Sequence, residues 1–466
     1  MMSKYEIKNA WYKIGKDEEN AIEKFSSEYI SFIDESKTER VCINEIIKQA
    51  KENGFIDLKD LIVRKAPISP GMKIYAENNH KAAMLFVIGN QNIESGFKML
   101  GAHVDSPRID LKPNPLYEDS NMALFKTHYY GGIKKYQWAT IPLSLYGTVY
   151  NNSGEKINIA IGDQEDDPVF FINDLLIHLS GDQMQLKASE VIKGEQLNVV
   201  AGSRPLPLDK EGKEQKDAFK GNVLKILKEK YDIDERSFLS AEFELVPSGR
   251  AREVGFDRSM IMAYGHDDRV CAFAALKSIL DVDQTELMSC AIFADKEEVG
   301  SQGNTGMESR FFENMIAELI NLQGDYSDLK LRRAFSNAKV LSADVNCCVD
   351  PSFPEVTEKS NNAILGNGVA LTKYTGSRGK GGCNDANAEF TYEVASLFDD
   401  NDVVWQTGEL GKVDQGGGGT IAYILANYGA QVIDCGTPVL SMHAPYEIVS
   451  KVDAYMTFKA YSAFCK

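Results

Sequence analysis

No run in the sequence approaches ~18 consecutive apolar residues, so no segment is long enough to cross a bilayer as a helix. None of the eight cysteines (Cys42, Cys271, Cys290, Cys347, Cys348, Cys383, Cys435 and Cys465) forms a C-x-x-C pair, and that spacing excludes a zinc finger. Several lie in apolar strand or helix patterns and read as reduced, mostly buried thiols of a cytoplasmic protein. Positive charge is short: 51 Lys and Arg face 68 Asp and Glu, a formal net charge of −17. A chain this acidic repels phosphates, so neither nucleic acid nor an anionic membrane surface is an expected partner. The opening segment, Met1–Lys8, lacks the apolar core of a secretion signal. Histidine is also scarce, six in 466 residues, so each can be weighed individually.

The length, 466 residues, suggests two or three domains at ~150 residues each. Helical periodicity marks residues 18–35 and 41–52, and Ala83–Ile88 and Phe97–Leu100 read as short apolar strands. From about residue 106 to 250 the pattern is strand-rich. Ile141–Tyr150 and Lys156–Ile161 alternate around an Asn151-Asn152-Ser153-Gly154 turn, a hairpin signal. Residues 203–220 read as a long loop, Phe219–Lys230 as a helix and Phe238–Val246 as a strand. Beyond residue 255 strands and helices alternate. Strands are expected at 287–294, 338–343, 402–405 and 430–435, and helices at 269–281, 308–323, 384–398, 419–428 and 446–463. The simplest organisation is a discontinuous three-layer α/β domain, residues 1–105 and 251–466, with a mostly parallel central sheet. A β-rich domain, residues 106–250, is inserted between its halves.

Chemistry-bearing residues gather at the ends of these elements. His103 follows an apolar strand in Gly101-Ala102-His103-Val104-Asp105-Ser106-Pro107, and His443 follows another in Ser441-Met442-His443-Ala444-Pro445. Asp267-Asp268 opens a helix, Glu297-Glu298 follows the strand ending near Ala294, and Asp344 follows Lys339–Ala343. In open α/β sheets ligands bind beyond the carboxyl ends of strands, so these residues can converge. Two imidazoles with three carboxylates suit zinc, with manganese or cobalt as alternatives. Two ions ~3.5–4 Å apart would clamp a hydrolytic transition state. Of the pair Glu297-Glu298, one carboxylate can bind metal while its neighbour stays free as a base. In an extended His103-Val104-Asp105 the outer side chains share a face, so Asp105 can accept a hydrogen bond from the non-ligating nitrogen of His103. Taken singly, each motif has a plainer reading as a cap, a turn or a solvated loop. The order of all five segments carries the signal. The run Gly416–Thr420 precedes a helix pattern and offers backbone N–H groups, at Gly417 and Gly418 among others, for a substrate carbonyl or carboxylate.

These motifs, with Asp267-Asp268-Arg269, Glu297-Glu298-Val299-Gly300-Ser301, Ser342-Ala343-Asp344 and Tyr130-Gly131-Gly132, resemble the aspartyl aminopeptidase family, which also contains vacuolar aminopeptidase I. The resemblance spans nearly the whole chain. It implies a dinuclear zinc exopeptidase that removes one N-terminal residue from peptide substrates. By that resemblance His103, Asp267 and Asp344 hold one metal, and Asp267, Glu298 and His443 the other. Glu297 is the general base and then the acid, and Asp105 orients His103. The family's oligomer is a dodecamer built from dimers, the inserted domain makes the dimer contact, and His178 matches a histidine that reaches the partner subunit's active site. The plainer alternative for His178 is a buried core histidine. Cys347 and Asp350 stand where acid-selective relatives carry histidines, while Lys373 lies near the family's specificity-pocket lysine. The resemblance therefore implies an aminopeptidase not strictly selective for N-terminal Asp or Glu.

Overall fold

The computed structural model describes residues 9–324 and 326–466; residues 1–8, on which the expectation about a secretion signal rests, lie outside them. The chain folds into two compact units. One comprises the described residues up to Ser106, Ala251–Met442 and Glu447–Lys466; the other comprises Pro107–Arg250 and the short segment His443–Tyr446.

The first unit is built on a nine-stranded sheet. Its strands in chain order are β1 (Ile56–Asp57), β2 (Lys73–Asn78), β3 (Ala82–Val87), β4 (Phe97–His103), β5 (Met288–Ala294), β6 (Lys339–Ser342), β7 (Val369–Thr372), β8 (Trp405–Thr407) and β9 (Gln431–Gly436). They lie in the order β1-β2-β3-β5-β4-β6-β9-β7-β8. Five of the eight neighbouring pairs are parallel, including the central run β5-β4-β6-β9. The pairs β2–β3, β3–β5 and β9–β7 are antiparallel, so the sheet is mixed. The β2–β3 hairpin exists because Asn79 and His80 both take positive φ, +51° and +60°, which matches the twist of a tight turn.

Both faces of this sheet are buried, which explains its unbroken apolar runs. Along β3 and the residue after it, Ala83, Leu85 and Val87 enter one hydrophobic cluster, while Met84, Phe86 and Ile88 enter another. Six of the unit's helices are α1 (Lys16–Asp34), α2 (Glu39–Glu52), α3 (His266–Leu280), α4 (Phe311–Gln323), α5 (Asp328–Ser336) and α6 (Lys451–Cys465). The first cluster takes Phe25 and Tyr29 of α1, Ile43 and Ile46 of α2, Phe273 and Leu276 of α3, and Tyr461 and Phe464 of α6. The second takes Phe312 and Ile316 of α4 and Leu331 and Phe335 of α5. Almost every residue of α3 is buried, as expected for a helix apolar all round.

Two expected helices change character. Instead of a helix from 446, Glu447–Ser450 forms a strand and α6 starts at Lys451, because β-branched Ile448 and Val449 pair with Met262 and Ile261 in a smaller five-stranded sheet. Instead of a helix over 419–428, only Ala422–Ala426 is helical, and Gly417-Gly418 pairs antiparallel with Gly376-Ser377. The Gly417 φ is +124°, and a Cβ there would lie 2.4 Å from the Gly376 carbonyl oxygen. The glycine therefore serves a close strand approach and not a helix start.

The second unit is an antiparallel sheet of seven strands, in the order Glu242–Pro247, Arg108–Asp119, Met122–Tyr130, Val199–Gly202, Phe170–Ile172, Pro142–Tyr150 and Lys156–Ile161. Glu242–Pro247 also pairs with Pro142–Tyr150, so the sheet curls back on itself. The expected hairpin 141–161 is present, its turn held by the Asn151 side chain, which accepts from the N–H groups of Ser153 and Glu155. The expected strand at 238 starts at Glu242, after a turn of 3-10 helix over Glu235–Ser240. All eight cysteines are free thiols, six of them buried. Among the described residues no helix is long and apolar enough to cross a membrane.

One buried acid ties α6 to the loop before β7. Asp453 accepts hydrogen bonds from Gly366 and Gly368 N–H, each at 2.7 Å. Burial nevertheless pushes its pKa up to about 7. A carboxyl that ionises near pH 4 when unfolded thus keeps its proton to higher pH when folded. Its contribution to stability is complete below ~4 and is lost as pH rises through about 7. Asp453→Asn removes that loss. The Tm of the variant minus that of the parent should rise in the variant's favour between pH 5 and 8, measured by thermal melts on metal-free protein. A pH-independent difference would contradict this.

Candidate metal centre

Strands β5, β4 and β6 run parallel and in step: Ala294 lies opposite His103, and Ser342 opposite Gly101. Their carboxyl ends therefore finish at one level. His103 ends β4, Asp295–Glu298 follow β5, and Asp344 comes two residues after Ser342. The Ala343 N–H donates to the Gly101 carbonyl at 2.6 Å and extends the pairing toward Asp344. A fourth element arrives from α3. Gly265 takes φ +77°, and a Cβ there would fall 1.9 Å from Nη1 of the buried Arg269, so this turn requires glycine. Asp267 and Asp268 follow with non-helical backbone angles before the helix is established.

These elements bring an acidic cluster around one imidazole. Ligand-capable atoms of His103, Asp267 and Asp344 all lie within 4.8 Å of one another, and Glu298 offers an oxygen within the same distance of Asp267. His103 Nε2 is 3.2 Å from Asp267 Oδ1 and 4.0 Å from Asp344 Oδ1. Its Nδ1 is 3.0 Å from the Asp105 carbonyl oxygen and 3.3 Å from Asp105 Oδ1. With two acceptors beside it, Nδ1 is assigned the proton, and the Nε2 lone pair is left for a metal. Asp105 also braces the next strand end: Glu297 N–H donates to its Oδ1 at 3.1 Å and Glu298 N–H to its Oδ2 at 3.2 Å.

The electrostatics call for a cation. Burial first, then the charge of Asp268, raises the Asp344 pKa well above the carboxylate range. Asp268 is raised likewise, by burial first and then by Asp267, against the lowering effect of His103. Burial disfavours an imidazolium at His103, but hydrogen bonds to Asp105 and Asp267 and the charges of Asp268 and Asp344 outweigh it and raise its pKa well above normal. In the metal-free protein a proton on His103 thus partly balances the carboxylates. One imidazole nitrogen, with the other nitrogen of the ring held by Asp105, among carboxylate oxygens is a donor set that fits zinc.

The remaining sequence candidates fall as follows. His443 belongs to the second unit, where its Nδ1 lies 3.0 Å from the Gly132 carbonyl, so Nε2 is the nitrogen that could take a metal. His178 is also in that unit and is exposed, in a turn with exposed Leu175, Leu176, Ile177 and Leu179, which overturns the buried-core alternative. Lys373 is exposed, and Cys347 is half-buried beside Cys348. Three residues near the acidic cluster or His443 were given no role from sequence. Asp268 Oδ2 accepts the His103 N–H at 3.1 Å, Glu447 Oε2 accepts the Asp267 N–H at 3.0 Å, and the Gly132 carbonyl pairs with His443. Their only sequence signals were the doubled Asp, the Glu four residues after His443, and the Tyr130-Gly131-Gly132 motif.

Because Asp105 serves two backbone donors and an imidazole at once, an amide in its place leaves at least one donor facing an NH2 group. Asp105→Asn is expected to lower kcat by ~10–100-fold, the usual range for a residue supporting metal ligands, with an unchanged circular dichroism spectrum. Parent-like kcat in the folded variant would remove Asp105 from the machinery.

The comparisons agree with this chemistry. The family model for Aminopeptidase I zinc metalloprotease (M18) matches residues 32–465. A probable M18 family aminopeptidase 1 of Clostridium acetobutylicum is 51% identical over 459 residues, covering 98% of both chains. The crystal structure of an M18 aminopeptidase from Thermotoga maritima superposes with a TM-score of 0.94 at 46% identity, covering 99% of this chain and 100% of the other. The mApe1 dodecamer of S. cerevesiae shares the fold at a TM-score of 0.75 and 22% identity, covering 96% of this chain and 97% of that one. The chain belongs to the M18 family of zinc metallo-aminopeptidases, hydrolases that act as exopeptidases.

Proposed function

We propose that this enzyme hydrolyses the N-terminal residue from peptides at a dinuclear zinc site, with a glutamate as general base. His103, Asp267 and Asp344 hold one ion; Asp267, Glu298 and His443 hold the other, with Asp267 shared. The observation that carries this reading is the convergence of His103, Asp267 and Asp344 donor atoms within 4.8 Å at three strand ends and one helix start, with Glu298 equally near Asp267. The Nδ1 pairings of His103 with Asp105 and of His443 with Gly132 support the two imidazoles as Nε2 ligands.

When bound, zinc supplies Lewis acidity and brings the pKa of water toward neutrality. Glu297 accepts the proton of the attacking water and returns it to the leaving amine. Asp105 fixes Glu297 and Glu298 through their N–H groups, so base and ligand keep separate places although they are adjacent. Lys373, Cys347, Gly417 and Gly418 are proposed contacts to the substrate, and the missing histidines near Cys347 and Asp350 favour neutral as well as acidic side chains.

Residues 1–105 and 251–466 form the three-layer catalytic domain, and residues 106–250 the dimerisation domain. The active form is a homo-oligomer, a dodecamer built from dimers, in which His178 reaches the partner's active site. Support comes from the dodecameric relative and from the exposed apolar turn carrying His178. Manganese or cobalt can replace zinc, and the free cysteines fit a cytoplasmic location.

The test is a panel of Asp, Glu, Leu, Met and Lys aminoacyl substrates at matched metal content. The parent is expected to prefer acidic residues by less than ~100-fold in kcat/KM. Glu297→Gln is expected to lose ~10²–10⁴ in rate on every substrate while keeping its metal. Near-full kcat in the variant, or loss of its metal, would refute Glu297 as the base.

A further inference from the structure

Every backbone group of the Asp267 peptide unit is held by a side chain. Its N–H donates to Glu447 Oε2 at 3.0 Å, and its carbonyl accepts from Ser106 Oγ at 2.7 Å. Glu447 and Ser106 are each 1% exposed. The preceding His266 is fixed as well: its Nδ1 accepts from Tyr29 OH at 2.6 Å and its Nε2 donates to the Ile261 carbonyl at 3.0 Å. The following Asp268 holds the His103 N–H.

The sequence shows why outside support is needed here. Asp267 and Asp268 lack helical backbone angles, so the intrahelical ladder of α3 does not fix them, and their orientation depends on side chains from elsewhere. Glu447 comes from a strand whose pairing with Met260–Ala263 sets its height: Glu447 lies opposite Ala263, just ahead of the Gly265 turn. Ser106 comes from the segment that carries His103. A carboxylate and a hydroxyl taken this far out of water are costly unless hydrogen-bonded, and each bonds the Asp267 backbone.

We propose that Glu447 and Ser106 are positioning residues that clamp the Asp267 peptide and so aim its carboxylate at the metal ions. The inference rests on the reading of Asp267 as a ligand. The clamp acts on the geometry of the ligand side chains before metal binds, so its signature is metal affinity measured without turnover.

The experiment is titration of metal-free protein with zinc against a competing fluorescent chelator, for the parent, Glu447→Ala, Glu447→Gln, Ser106→Ala and Asp267→Asn, with circular dichroism to establish folding before zinc is added. Loss of a partner behind a metal ligand costs ~10–100-fold in affinity. Glu447→Ala and Ser106→Ala are expected to fall in that range while folded, and Glu447→Gln, which still offers an acceptor oxygen, to stay within ~3-fold of the parent. If Glu447→Ala does not fold, the smaller change Ser106→Ala decides by the same range. Parent-like zinc affinity in the folded clamp variants, together with a large loss in Asp267→Asn, overturns the clamp and leaves the ligand reading standing. Parent-like affinity in Asp267→Asn overturns the ligand reading and the clamp with it.

Discussion

Repulsion among buried carboxylates is the constraint on which the first unit depends. Asp267, Asp268 and Asp344 are brought close to one histidine in a place largely without water, where like charges interact several times more strongly than at the surface. Nothing in the local chain favours that arrangement. It persists because the surrounding fold fixes each backbone: three parallel strands end at one level, and an almost wholly buried helix starts beside them. The two core clusters on either face of the sheet supply the rigidity, and the acidic site is where part of that stability is spent.

The same constraint explains why so many side chains near the site bond to backbone and not to one another. Asp105 takes the N–H groups of Glu297 and Glu298, Asp268 that of His103, and Glu447 that of Asp267. Each carboxylate thereby gains a donor without a countercharge. The site stays short of positive charge, and that deficit is what attracts a divalent metal ion. His103 can carry a compensating positive charge when no metal is bound, and it yields its Nε2 when a metal takes over that role.

Much of this was legible in the sequence because the informative residues sit at element ends. Apolar runs such as Ala83–Ile88 and Leu287–Ala294 announce buried strands, and a His, Asp or Glu just past such a run is placed by the strand that precedes it. What was not legible depends on partners remote in sequence. The hairpin strand Lys73–Asn78 is too polar to stand out, and its turn uses His80, which is no typical turn residue. Glu447 looked like part of a helix because Ile448, Val449 and the residues after them continue the apolar pattern; only the cross-strand neighbours Ile261 and Met262 make that stretch a strand. The glycine run at 416–419 reads as a helix start, and its actual role depends on Gly376 and Ser377, some forty residues earlier.

The central claim is that the carboxylates and two histidines hold a pair of zinc ions. Diffraction from crystals of the zinc-loaded protein on both sides of the zinc absorption edge tests it directly. The account predicts two anomalous peaks per chain ~3.5–4 Å apart. One peak should touch His103 and Asp344, the other Glu298 and His443, with Asp267 between them. A single peak, or peaks away from His103 and Asp267, would contradict it.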